Sequence, residues 1–281
     1  MFSLQSSNPA LNVAENQSRN PYAYQEPGTA QVTTAPIENV TTLSGVVNKT
    51  AILIGIAVAA GAVGYALVLR FPQLMWISAI AAFVLVLGFG FVLCRKPKLA
   101  AVIGPIYAVV EGIFLGGLTA VADNVLAAKG LTALGGVGLQ AFIITMAVVL
   151  SMLGLYKLGI VRPTERFKAV VYTLTGAIML AYLVSFIMSF FGTSMPLISF
   201  ASAVNDTGMM GFLGLGINLF ILLIASLFLV IDFGQVEEAV ANRAPKYMEW
   251  FLAFALLITL AWIYFEAVKL VVRLAVIFGD D

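Results

Sequence analysis

Three carboxylates interrupt long apolar runs: Glu111 between residues 106–110 and 113–115, Asp232 after 219–231, and Glu266 within 262–269. An ionised side chain in hydrocarbon costs at least about 2.5 kcal/mol, so acids in such surroundings are candidates for proton or cation chemistry. Each also has a plainer reading. Glu111 could sit neutral against neighbouring backbone, Asp232 could face lipid headgroups, and Glu266 could pair with Lys269 three residues along the same helix. Other chemistries lack their residues. The chain has no histidine and one cysteine, Cys94, so a nucleophile would want its usual base, no intrachain disulfide can form, and zinc is not expected. No G-x-S-x-G, H-E-x-x-H or phosphate-cradling glycine loop is present. We expect no enzyme, no metal and no cofactor. Lys269 with Glu111 as counter-ion would suit a retinal-type Schiff base, but beside Arg273 it reads more simply as a residue snorkelling from a helix end to the interface.

The elements that must position these acids are set by composition. Of 281 residues, 61% are hydrophobic and 10% charged, with mean hydropathy +1.02. This is far from a water-soluble domain. A bilayer offers no partner for open backbone, so the chain must cross as helices or as a closed barrel. The apolar runs are continuous, without the alternation of barrel strands, and helices follow. Spans are predicted near 50–69, 74–94, 99–122, 138–158, 168–191, 208–232 and 248–273. Residues 1–48 are rich in Asn, Gln, Ser, Thr and Pro and contain no apolar run, which predicts a flexible cytoplasmic tail and no cleaved signal peptide. Gly112 with Gly116, and Gly208, Gly211 and Gly214, have the spacing that lets helix backbones approach closely.

Charge placement orients the bundle. The loops after the second, fourth and sixth spans carry nine basic residues, including Arg95, Lys96, Lys98, Arg162 and Arg243. The opposite loops carry only Arg70 and Lys129. Positive charge retained on one side marks the cytoplasmic face and puts the N-terminus inside. A net charge of +1 gives no reason to expect nucleic acid as a partner.

The runs 231–237, 244–250 and 262–266, with 105–116 in the third span and Ser7-Asn8-Pro9 near the start, resemble the Bax inhibitor-1/YccA-like family in its bacterial branch. The similarity extends over about 46–273. It implies an all-α bundle of seven transmembrane helices with the last helix central, in the inner (plasma) membrane. It implies a pH-sensitive cation leak, calcium being one candidate ion, in which acids of the sixth and seventh helices form a proton-sensitive pair. Here these are Asp232 and Glu266; the family's usual second acid is aspartate, so glutamate is one methylene longer. Arg95 is the candidate for the basic partner known in relatives. The alternative implication is a regulatory protein that modulates a membrane-bound quality-control protease without conducting.

The physical logic of the pair stands beside the resemblance. Two carboxyls in contact in a low-dielectric bundle share one proton, and its loss leaves like charges that could push the sixth and seventh helices apart. One distance opposes contact. If the last helix starts at Met248, Glu266 lies eighteen residues along it, about 27 Å at 1.5 Å per residue, while Asp232 ends the sixth span near the inner face. The two meet only if the sixth helix continues past Asp232 and residues 247–250 lie along the interface.

Overall fold

The computed structural model describes residues 40–131 and 133–279. These residues form one compact unit, and of the flexible tail expected over residues 1–48, residues 1–39 lie outside them. Seven helices are long and apolar enough to cross a membrane: α1 Leu43–Arg70, α2 Leu74–Arg95, α3 Ala100–Ala128, α4 Val137–Lys157, α5 Glu165–Phe190, α7 Gly208–Ala241 and α8 Met248–Phe278. A short helix, α6 Phe200–Asn205, lies between α5 and α7. The protein is thus an all-α seven-helix membrane bundle.

Helix starts follow side-chain capping. The Thr42 hydroxyl accepts from the Gly45 amide at α1, that of Thr164 from Phe167 at α5, and that of Ser199 from Ser202 at α6. Each satisfies an amide that has no partner within its helix. The boundary expected at residue 48 falls inside α1. Val46 is fully buried there, and Thr41 bonds to Ala244 and Pro245, so residues before 48 already belong to the bundle.

The centre is α8. It packs against α1, α3, α4, α6 and α7, and 61% of its most apolar stretch is buried against 11–17% for α1, α2, α4 and α5. Those outer helices present large apolar side chains such as Leu87, Phe91, Leu150 and Leu180 outward, as a hydrocarbon solvent permits. The tightest packing joins α1 and α3. A methyl group on Gly112 would land on the Ala57 carbonyl, one on Gly116 on Gly61, and one on Gly64 on Ile113. Backbone therefore touches backbone, as small-residue spacing allows. The second set of glycines works differently: the place of a Gly214 side chain is filled by the Arg273 guanidinium, and a methyl group on Gly208 would meet none of the described residues within 4 Å.

Two helix lengths differ from the apolar runs and bear on the acids. The helix α7 continues nine residues past Asp232 to Ala241, and α8 does begin at Met248.

Candidate functional site

The seam between α7 and α8 is apolar, built on residues such as Ala225, Leu229, Leu256, Ile263 and Leu270. Two polar contacts cross it. At one, the Thr259 hydroxyl of α8 donates to Asp232 Oδ2 of α7 at 2.6 Å. At the other, the Asn218 amide of α7 donates to Glu266 Oε2 at 2.7 Å and to the Glu266 carbonyl at 3.2 Å. Each acid thus has its partner on the opposite helix. Asp232 is 4% exposed and Glu266 fully buried, so neither faces headgroups.

Continuation of α7 brings Asp232 deeper than a helix-ending acid, level with Thr259. Glu266 remains seven residues beyond Thr259, about 10 Å further along α8. The expected pair is therefore drawn apart into two stations with separate partners. Glu266 takes instead the plainer arrangement legible in its spacing, an ion pair with Lys269 at 2.9 Å. It also accepts from the Tyr182 hydroxyl of α5. Lys269 in turn donates to the Tyr182 oxygen at 3.0 Å and to the Ile198 carbonyl at 3.2 Å. It does not snorkel: it is 1% exposed, as is Arg273 one turn on. Arg273 bonds to the Leu197 carbonyl and the Ser202 hydroxyl, both at 2.7 Å, across a gap that Gly214 leaves open. The two cations thereby hold the segment between α5 and α7 against the end of α8.

Glu111 stands apart from both stations. It is buried on α3 beside Tyr107, one turn back, whose ring meets Phe254 of α8 edge-on at 5.2 Å. It lines two clefts. One, of about 640 Å³, lies among α1, α3, α4 and α8 and carries Thr119, Asp123, Tyr65 and Tyr264. There Tyr264 pairs with Thr119 at 3.0 Å, and Asp123 accepts from Tyr65 at 3.1 Å and from the Val137 amide at 2.8 Å. The other, of about 560 Å³, lies among α2, α3, α5, α8 and residues 194–201, and its wall includes Tyr182, Ile198 and Phe265.

Arg95 is not a partner of either acid. It ends α2 and lies 3.9 Å over the Phe91 ring. Among the described residues no group of three or more Cys, Asp or Glu is placed to hold a metal ion.

Sequence reasoning missed Tyr182, Asn218, Thr259 and Glu249. Polar residues in apolar runs were the available signal for the first three, but their partners lie 84, 48 and 27 residues away. Glu249, 1% exposed, opens α8 by binding Lys49 and the Thr42 amide and hydroxyl of α1.

The family model described as "Bax inhibitor 1 like" matches residues 8–276. No curated protein and no solved structure matches the chain.

Proposed function

Since the chain belongs to the Bax inhibitor 1 like family, we propose that it is a pH-sensitive cation leak gated at the α7–α8 seam. What supports this reading is one observation: two buried acids on different helices each make a polar contact across the same apolar seam. The mechanism differs from a shared proton. Asp232 faces Thr259 and, among the described residues, no cation, so its ionised form would sit in the core with one hydroxyl for company. Burying such a charge without a counter-ion is costly, and admitting water between α7 and α8 is the way to relieve it. Around Glu266 stand Lys269 and Arg273 of α8, Tyr182 of α5, Asn218 of α7 and, facing Arg273, Asp206. That acid therefore has a resident counter-ion and serves as the fixed station. Asp232 is the switching one.

The test is cation flux into liposomes over a pH series, with calcium, sodium and potassium compared. Asp232→Asn should flatten the pH profile, whereas Glu266→Gln should change the amount of flux more than its pH dependence. A profile unchanged by Asp232→Asn would overturn the assignment. The reading involves no catalytic turnover and puts the basic loops on the cytoplasmic side.

A further inference from the structure

The surroundings of the Lys269 ammonium are those of a cation site. Its three protons meet three oxygens: the Glu266 carboxylate at 2.9 Å, the Tyr182 hydroxyl at 3.0 Å and the Ile198 carbonyl at 3.2 Å. Two aromatic faces close the set, with Nζ 4.9 Å from the Tyr182 ring centre and 5.0 Å from that of Phe265. Carboxylate, carbonyl, phenol oxygen and ring faces are the groups that hold a desolvated monovalent cation. The cage is also braced from behind. Tyr182 donates its own proton to Glu266 Oε1, and Asn218 Nδ2 holds Oε2, so the carboxylate is oriented by groups other than the ammonium.

Three members of the cage, Tyr182, Ile198 and Phe265, belong to the wall of the cleft that also reaches Glu111. Lys269 lies behind that wall, 1% exposed, and enters the cage from α8 itself. The segment that supplies the carbonyl is under constraint. Leu197 has φ of +67°, an unfavourable conformation for a leucine, and Arg273 grips its carbonyl. An unused acceptor is at hand as well: Asn218 Oδ1 is buried with no hydrogen-bond partner among the described residues, although the same amide holds Glu266.

We propose that Lys269 is a tethered plug, its ammonium occupying a monovalent-cation site at the inner end of the α2/α3/α5/α8 cleft, of the kind that takes potassium, rubidium or a small alkylammonium ion. External cations enter only when Lys269 withdraws. The name of plug rests on the leak reading above, but occupancy of the cage can be measured without flux.

The experiment is equilibrium binding of rubidium to purified, full-length protein, with thermal unfolding followed in parallel. Lys269→Ala should bind rubidium saturably where the unmodified protein does not. Its unfolding temperature should rise with ethylammonium chloride but not with tetramethylammonium chloride at equal ionic strength. Glu266→Gln added to Lys269→Ala should remove both effects. No saturable binding and no selective stabilisation by ethylammonium would overturn the proposal, as would equal rubidium binding by the unmodified protein. Should Lys269→Ala yield no monodisperse protein in ordinary buffer, its purification in ethylammonium chloride carries the test. Recovery of monodisperse protein there but not in tetramethylammonium chloride is expected, and recovery in neither overturns the proposal. Rubidium binding by Lys269→Ala with no increase in rubidium flux into liposomes would uphold the site and sink the leak reading alone.

Discussion

The Thr259 hydroxyl is the hydrogen-bond partner of Asp232 across the seam, at 2.6 Å in a buried setting. Valine has nearly the same shape, so Thr259→Val isolates the hydroxyl. Leaving a buried acceptor unsatisfied costs about 1–3 kcal/mol, and we expect a loss of that size in unfolding by heat or denaturant, with Thr259→Ser close to the unmodified protein. Asn218→Leu should cost a comparable amount, because Glu266 loses two donated hydrogen bonds while Lys269 and Tyr182 stay in place. Together the two variants ask whether the stations are independent. Among the described residues Asp232 and Glu266 have no partner in common, so the double variant should lose about the sum of the single losses, and a shortfall above about 0.5 kcal/mol would indicate that they communicate. At this scale the sequence exposes the acids and the Glu266–Lys269 spacing, because both are local. It hides the cross-helix partners, since a lone Thr or Asn in an apolar run does not declare which distant side chain it meets.

At the scale of elements, the contact between α1 and α3 depends on glycine more than any other in the bundle. Ala57, Gly61 and Gly64 meet Gly112, Ile113 and Gly116 backbone to backbone, so even one methyl group must push the helices apart. Gly112→Ala should destabilise by about 1–3 kcal/mol, the usual cost of overpacking, whereas Gly55→Ala and Gly88→Ala, whose added methyl would meet none of the described residues within 4 Å, should be neutral or slightly stabilising. Differential scanning of the purified variants reads this directly. The Gly112/Gly116 spacing made this contact legible in advance. Helix ends were less legible, for a physical reason: an apolar run reports how much chain lies in hydrocarbon, whereas a helix stops where its hydrogen bonding stops. Hence α7 carries Gln235, Glu237 and Glu238 in about two and a half further turns beyond Asp232. Those turns lower Asp232 into the bundle and give it Thr259 for a neighbour in place of Glu266.

For the molecule as a whole, the start of α1 and the start of α8 are fastened at one end. Glu249 binds Lys49 and Thr42, Val40 bridges to Pro245, and a side chain on Gly45 would occupy the place of the Glu249 carboxylate. A truncation that keeps these contacts must therefore stop at residue 39. Removing residues 1–39 should leave flux and unfolding temperature unchanged if the bundle conducts, whereas removal through Asn48 takes away Thr42 and Val46 and should lower stability whatever the protein does. Lost regulation of a protease with flux intact would instead favour the partner-binding alternative. The same end of the bundle holds the basic loops and the chain's one cysteine, Cys94, exposed in the last turn of α2. If, as we propose, the basic loops are retained on the cytoplasmic side, that thiol faces the cytoplasm. A membrane-impermeant maleimide should modify Cys94 in inside-out vesicles and leave it untouched in intact cells. The opposite pattern would invert the bundle, put the segment between α5 and α7 inside, and present the Lys269 cage to the cytoplasm in place of the exterior.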